Sequence, residues 1–273
     1  MQGLICILLL INHKSIRVKN RFIYLFILFC YGLIFSQSDK TFFIAGNLNV
    51  NNNGIDWVPL FSRDKPSLIT NFSFAGERLS ISPLIRYELD GFQPWGFDIW
   101  WNYIIKKSGK FNFSIGGVFP GIVNQKITVQ DENLPTTILQ PWSSAIIKPS
   151  ISYFFSKNFG LNLSYFEIIP LKLVNANQIE SGRVIILSPL IKSFLIKNSV
   201  YIKWEPLFYT VQIEDTETGF FSAQTINFGI VNFPFSISTV MNKPIDFGAL
   251  TGKKFDWNVG LNYSFELKLV KAK

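Results

Sequence analysis

Cysteine and histidine are nearly absent from this chain. Its 273 residues include two cysteines and one histidine, and all three (Cys6, His13 and Cys30) lie within the first 36 positions. The remainder therefore offers no disulfide, no thiolate or imidazole metal ligand and no thiol nucleophile. It also lacks the histidine on which a Ser-His-Asp triad depends. These absences predict a protein that is not an enzyme and that holds no metal or cofactor.

Charge is also scarce. Charged residues make up 16 % of the chain and hydrophobic residues 48 %, and the mean hydropathy is +0.24. This balance excludes intrinsic disorder, which requires low hydrophobicity and high charge. The formal net charge is +8, but part of it is concentrated in residues 14–21 and the other cations are scattered. Nucleic-acid binding proteins cluster Lys and Arg on one face, so the sequence predicts no nucleic-acid partner.

The N-terminal region has the order of a secretory signal. Residues 14–21 are basic, residues 22–35 carry no charge, and the small residue Ser36 precedes a polar stretch. A basic region, an apolar core and a small cleavage-site residue are typical of a signal peptide. We therefore expect residues 1–36 to be removed on export and residues 37–273 to form a single domain.

Two alternatives to a cleaved signal remain open. An uncleaved membrane anchor needs about 20 consecutive apolar residues, which residues 22–35 do not supply. A lipid-modified Cys30 would need a small residue before it, whereas bulky Phe29 stands there. The apolar residues 3–11 ahead of the basic cluster lead to the hypothesis that translation starts further downstream than Met1.

Alternation of apolar and polar residues dominates the rest of the chain. The apolar members of the last segment are Phe255, Trp257, Val259, Leu261, Tyr263, Phe265, Leu267 and Leu269. A second segment places Trp95, Phe97, Ile99, Trp101, Tyr103 and Ile105 on one face. A period of two is typical of strands with one apolar face. Beyond residue 36, no apolar run is long enough for a spanning helix.

The pattern predicts twelve strands, at residues 41–50, 67–75, 78–90, 95–107, 110–121, 145–157, 159–173, 183–197, 199–213, 219–231, 234–241 and 255–269. Many exceed the mode of about 5–6 residues in globular proteins and reach the about 9–11 that a tilted strand needs to cross a bilayer. Tight connections mostly alternate with longer ones, as in membrane barrels. The sequence therefore predicts an all-β fold, an antiparallel up-and-down transmembrane β-barrel of about 12 strands after an N-terminal signal helix.

A soluble secreted β-sandwich is the alternative fold, because alternation does not say whether the apolar faces meet lipid or one another. Pro83, Pro149, Pro189 and Pro206 fall within predicted strands, and each removes a ladder hydrogen bond. We expect bulges at these prolines, or strand ends that lie close to them.

The last predicted strand carries a recurring arrangement. Asn258 is followed by Gly260 and then by Tyr263 and Phe265. In this spacing the chain resembles single-chain bacterial outer-membrane β-barrel proteins. The resemblance implies a location in the outer membrane, contact with outer-membrane lipid, and recognition of this strand by the barrel-assembly machinery during biogenesis.

Polar side chains of the same parity face the interior of the predicted barrel. The lumen-lining candidates are Arg86, Glu88, Asp98, Asn102, Lys203 and Glu205. Their mixed signs argue against strong selection for anions or for cations. A barrel of this size lies between small barrels filled by side chains and large porins with an aqueous channel.

Three functions fit these observations. The first is a passive, non-enzymatic channel for small polar solutes in the outer membrane. The second is a closed structural or surface-interaction barrel that binds a partner through its long loops. The third, which belongs to the β-sandwich alternative, is a soluble secreted binding module.

N-terminal sequencing of the exported protein tests the signal peptide. We expect the mature chain to begin at Gln37, because Ser36 is the small residue at the cleavage site. A mature chain that starts near Met1 would contradict the prediction.

Overall fold

The computed structural model describes residues 41–55, 62–130, 135–172, 177–178, 180–197 and 199–270. The predicted signal segment, residues 1–36, lies outside these ranges. Among the described residues, no helix is long and apolar enough to cross a membrane.

The described chain is built from strands. In chain order they are β1 (Thr41–Asn51), β2 (Ser67–Ala75), β3 (Leu79–Glu88), β4 (Gln93–Ser108), β5 (Phe111–Gln130), β6 (Pro135–Phe154), β7 (Phe159–Pro170), β8 (Asn177–Gln178), β9 (Gly182–Ile191), β10 (Phe194–Ile196), β11 (Val200–Ile213), β12 (Gly219–Ile230), β13 (Phe235–Asp246) and β14 (Asp256–Val270). Strands β8 and β10 are short, and the other 12 form the barrel.

The 12 long strands of the described chain close into one antiparallel ring. Strand β1 pairs with β14 along all 11 of its residues, which joins the first and last strands of the described chain. Strand β9 pairs with both β7 and β11 and completes the circuit. This confirms the predicted closed antiparallel barrel. Closure matters because a strand edge in lipid would leave backbone N–H and C=O groups without partners.

The two ends of the barrel differ in their connections. Tight turns at residues 76–78, 109–110 and 155–158 define what we call the turn end. The connections at residues 52–66 and 247–255 are longer, and they define the loop end. The β3–β4 connection, residues 89–92, is also at the loop end but is short, so short and long connections mostly alternate, as the sequence predicts.

Strands β5 and β6 are the main departure from the predicted boundaries. Residues 122–144 were expected to form a loop, but β5 and β6 each extend to 20 residues. Their outer parts pair with each other from Val123 opposite Trp142 to Gln130 opposite Pro135. The hairpin therefore continues beyond the barrel wall, where β-branched residues such as Val and Thr favour the extended conformation.

Exposure separates the two faces of the sheet. In β14, Trp257 and Leu261 are 51 % and 54 % exposed, whereas Asn258 and Asn262 between and beyond them are 4 % and 5 % exposed. The same contrast recurs in other strands, with large apolar side chains on the outer face. Soluble proteins rarely expose apolar surface on this scale. Because the apolar residues cover the outside of a single closed sheet, the β-sandwich alternative is wrong.

Asparagine and serine side chains form a hydrogen-bonded ladder on the inner face of β13, β14 and β1. Asn49 Nδ2 donates to Asn262 Oδ1 at 2.8 Å and to Ser238 Oγ at 3.2 Å. Asn51 Nδ2 donates to Asn49 Oδ1 at 2.6 Å. The side chains of this ladder are therefore polar but uncharged.

Trp95 faces inward, although the alternation of β4 places it with the outer residues. Gly96 pairs with Arg86, and Pro94 pairs with Tyr87, so Trp95 is the extra residue of a bulge. Its side chain is fully buried, with 0 % exposed. A bulge inserts one unpaired residue and so breaks the period of two. The prediction for Trp95 is wrong for this reason.

Two of the strand prolines interrupt the ladders beside them, but without the expected bulges, because the register is the same on both sides of each gap. The β2–β3 pairing skips the positions around Pro83, and the β6–β7 pairing skips those around Pro149. Each proline lacks the N–H that would bond to the neighbouring strand.

Replacing Asn262 with Ala should lower the free energy of unfolding by about 1–3 kcal/mol, because it leaves buried amide groups of the ladder without a partner. Asn47→Ala is the matched control. Asn47 donates to Ser264 Oγ at 2.8 Å on the same face of the same strand pair, but in an exposed position, so water replaces the lost bond. Urea titration of the detergent-solubilised protein measures both. Equal losses would mean that water reaches Asn262 as freely as Asn47.

Candidate functional site

A buried ion pair lies inside the barrel between β3 and β4. Arg86 Nη2 donates to Asp98 Oδ2 at 2.6 Å, and the two side chains are 8 % and 11 % exposed. The Arg86 guanidinium also lies 5.1 Å from the centre of the Trp95 ring, within the range of a cation–π contact. A Cβ at Gly96 would lie 2.7 Å from the guanidinium. Gly96 is therefore required for Arg86 to lie flat against the wall.

The β1–β2 connection folds against this ion pair. Of its residues 52–66, those at 52–55 and 62–66 are described. Gly54 N donates to Lys65 O at 2.8 Å, and Arg63 N donates to Gly54 O at 2.7 Å. These bonds hold the two arms of the connection together. The Arg63 side chain donates to the backbone carbonyl of Asn124 on β5.

The Arg63 side chain of the same connection lies among other charged groups. Burial lowers the pKa of the Arg63 guanidinium, the attraction of Glu88 opposes that change, and the repulsion of Arg86 adds to it. Glu88 is only 2 % exposed. Arg63, Arg86, Glu88 and Asp98 therefore form one cluster of two cations and two carboxylates at the loop end of the interior.

An apolar cluster fills the opposite sector of the interior. Its buried members are Phe166, Val184, Ile186, Tyr209, Val211, Phe221 and Ala223, from β7, β9, β11 and β12. The Tyr209 and Phe221 rings stack with their centres 5.3 Å apart. Phe247 and Leu250, from the β13–β14 connection, pack against the cluster. This sector of the loop end is therefore closed by side chains.

The two inward-folding connections meet at the loop end. Lys253 Nζ, in the β13–β14 connection, lies 2.5 Å from Asp64 Oδ1 in the β1–β2 connection. The hydrogen bond to Asp64 raises the pKa of Lys253 above its usual 10.5. A raised lysine pKa means that the link is fully formed at neutral pH and is lost only as pH rises through that raised value.

The turn half of the interior is more open. Lys203 Nζ pairs with Glu205 Oε1 at 2.8 Å, and the two side chains are 46 % and 47 % exposed. Asn227 Nδ2 donates to Glu205 Oε2 at 3.4 Å. Asn102, on β4, is partly buried opposite Gly116. The Lys203–Glu205 pair is therefore in contact with solvent, unlike the buried Arg86–Asp98 pair.

The six lumen-lining candidates thus fall into separate groups. Arg86, Glu88 and Asp98 lie together at the loop end, and Asn102 lies further along β4. Lys203 and Glu205 pair with each other on β11, in another sector of the wall. That these residues line a path for solute stays a prediction.

The four residues of the predicted assembly signal lie on both faces of β14. Asn258 is buried, donates to Asn53 O at 2.9 Å and accepts from Val240 N at 2.9 Å. A Cβ at Gly260 would lie 2.5 Å from the Asn49 amide nitrogen, so glycine makes room for the ladder. Tyr263 is exposed on the outer face. Recognition by the assembly machinery stays a prediction.

Phe265 has a further role in the closed ring. Its ring covers Gly46 of β1 on the outer face, directly opposite in the register. Its centre lies 6.5 Å from that of Phe72 and 6.4 Å from that of Tyr263. An aromatic side chain over a cross-strand glycine stabilises a strand pair. Here that pair is β1 and β14, which closes the ring.

Sequence reasoning missed Arg63 and the apolar cluster. Arg63 lies in a connection that the alternation does not describe. The cluster did leave a signal, because Val184, Ile185, Ile186 and Leu187 are consecutive and apolar, which places apolar side chains on both faces of β9. Among the described residues, no group of three or more His, Cys, Asp or Glu side chains could hold a metal ion.

No family model and no curated protein matches this chain. Among solved structures, the KdgM porin aligns with a TM-score of 0.50 and 8 % identity, covering 81 % of this chain and 99 % of the porin. The NanC porin gives 0.45 and 10 % over 82 % and 100 %. The CymD monoaromatic hydrocarbon channel gives 0.40 and 10 % over 89 % and 93 %. The likeness to KdgM shows the fold alone, and for the fold it confirms the resemblance to single-chain outer-membrane barrels.

Replacing Asp98 with Ala should lower the free energy of unfolding by about 3–5 kcal/mol, because the buried Arg86 would lose the carboxylate that it pairs with at 2.6 Å. The double variant Arg86→Met/Asp98→Leu should recover most of that loss. Asp90→Asn is the control, since Asp90 pairs with Lys65 at 2.8 Å in an exposed position and such pairs contribute at most about 1 kcal/mol. Urea titration measures all three. A loss at Asp98 no larger than at Asp90 would mean that water reaches the ion pair.

Proposed function

We propose that this protein lies in the bacterial outer membrane and forms a narrow passive channel for small polar solutes. The observation that carries the proposal is the contrast between the two faces of the closed ring. Apolar side chains cover the outside, where hydrocarbon would meet them, and the inner face carries asparagine, serine and paired charges. This is the polarity of a barrel that spans a bilayer around a polar interior.

The uncharged ladder of β13, β14 and β1 favours neutral polar solutes. Its amides and hydroxyls donate and accept hydrogen bonds, as a hydroxyl-rich solute also does. The lumen-lining candidates carry both signs, and the Arg86–Asp98 and Lys203–Glu205 pairs balance their own charge. We therefore expect weak selection by charge and stronger selection by size.

The loop end limits the size of the solute. Two connections pack against the interior there. The β1–β2 connection is bonded to β5 through Arg63. The β13–β14 connection is bonded to the β1–β2 connection through the Lys253–Asp64 pair. In this proposal the two connections form the constriction. The open turn half forms a vestibule that faces the periplasm, because short turns lie on that side in membrane barrels.

The structural or surface-interaction barrel is the second candidate. It is favoured by the complete burial of Trp95 and Phe221, each 0 % exposed, in opposite sectors of the loop end. The two candidates differ in one measurable property, since only a channel conducts.

Single-channel recording in planar bilayers tests the channel. We expect small unitary currents from the wild type and a larger open fraction after Lys253→Gln, by up to about fivefold, because an exposed ion pair contributes at most about 1 kcal/mol. Lys254→Gln is the matched control, with the same change of charge at the next position. Arg63→Gln should have a larger effect, because Arg63 is half-buried.

The absence of unitary current from the wild type and from Arg63→Gln would contradict the channel and favour the closed barrel. Membrane fractionation with a gel of unheated and boiled samples checks the location separately, because a folded membrane barrel migrates differently from the unfolded chain.

A further inference from the structure

The barrel wall has an opening between β9 and β11, near the turn end. The two strands pair from Gly182 opposite Ile213 to Leu187 opposite Phe208 and then stop. Pairing resumes only where β10 meets β11, at Phe194 opposite Ile202. Meanwhile β9 stays paired with β7, and β11 stays paired with β12. The two strands therefore separate from each other without leaving their other neighbours.

Two prolines explain why the ladder stops there. Two positions beyond the last pair, Leu187 and Phe208, the register brings Pro189 opposite Pro206. Neither residue has an N–H to donate, so this position loses donors on both strands. The unpaired stretch also has six residues on one side, 188–193, and five on the other, 203–207. A surplus residue bends a strand away from its partner.

A cavity of about 520 Å³ lies at this opening, within the range of small-molecule binding pockets. Its lining includes Asn162, Ser188 and Leu207, which have the parity of the inner face. It also includes Phe159 and Pro189, which have the parity of the exposed Leu163 and Leu187 on the outer face. The cavity is therefore in contact with residues of both faces where the two strands separate. We call it the lateral opening.

The lateral opening is apolar on the outside and cationic at its rim. Lys157 and Lys192, in the connections at its turn-end margin, line the cavity and pair with no carboxylate among the described residues. Lys203 also lines it, but Glu205 balances its charge. Two unbalanced cations beside an apolar channel match a molecule with an acyl chain and an anionic head.

We propose that the lateral opening binds an anionic amphiphile taken from the surrounding bilayer, that is, an acyl chain ending in a carboxylate or a phosphate. The acyl chain lies against Phe159, Pro189 and Ile191, and the headgroup lies beside Lys157 and Lys192. This inference rests on the proposed membrane location, but not on conduction along the barrel axis.

Photo-crosslinking in phosphatidylcholine vesicles tests the site. The probes are a fatty acid and a phosphatidylglycerol, each with a diazirine on the acyl chain, which distinguish a carboxylate from a phosphate headgroup. We expect adducts from at least one probe to concentrate in residues 188–192 and 203–207. Adducts spread equally over the outer face of β14 would show ordinary lipid contact and would overturn the proposal.

A variant that closes the lateral opening is the second test of the proposal. Pro189→Val/Pro206→Val restores both N–H groups, so we expect the ladder to continue and the adducts in these segments to be lost. Pro149→Val is the matched control, because Pro149 also interrupts a ladder but does not line the cavity. Undiminished labelling of a folded double-proline variant would overturn the proposal.

Removing the charge leaves the backbone unchanged and keeps the proposal testable if the double-proline variant does not fold. Lys157→Gln/Lys192→Gln should reduce fatty-acid labelling by about fivefold, the effect of losing exposed ion pairs, and leave labelling by an uncharged monoacylglycerol probe unchanged. If the fatty acid and the monoacylglycerol each labelled the wild type and the double-lysine variant equally, the proposal that the ligand has an anionic headgroup would be wrong. Protein that fails to enter vesicles would instead contradict the membrane location, and an absence of current has no bearing on these results.

Discussion

Backbone hydrogen bonding is the constraint on which the rest of this structure depends. A strand in hydrocarbon has no water to satisfy its N–H and C=O groups, so each long strand needs a partner on both sides. The pairing of β1 with β14 and of β9 with β11 meets this need by closing the ring. Closure then fixes one face of every strand as outer and the other as inner. The alternation of apolar and polar residues in the sequence follows from this difference between the outer and inner faces.

The division also explains how much the sequence could predict. Lipid imposes one apolar face on every crossing strand, so the period of two locates β14 and most other strands within a few residues. Beyond the bilayer the requirement for one apolar face no longer applies. The outer parts of β5 and β6 therefore carry no alternation that predicts a strand, and they were expected to be a loop. Trp95 was placed on the wrong face because its bulge depends on the register with β3, which a single strand does not encode.

Interior packing was harder to predict for the same reason. The six polar candidates were chosen by parity alone, and parity does not say which of them meet. Arg86 and Asp98 were candidates, but Arg63, which lies near Glu88 and Arg86, comes from a connection with no periodic pattern. The apolar cluster around Tyr209 and Phe221 depends on the β13–β14 connection folding inward. Both arrangements arise from contacts between distant parts of the chain.

The uncharged ladder along β13, β14 and β1 has a consequence for the electrostatics of the interior. Dissolved ions weaken forces between charges beyond a Debye length of about 10 Å at 0.1 M salt, but they barely affect hydrogen bonds between neutral amides such as those of Asn49 and Asn262. The ladder therefore presents the same surface at low and at high salt. The charged groups of the interior, which include Asp256 on β14 as well as those of β3, β4 and β11, are the part that a change of salinity would alter.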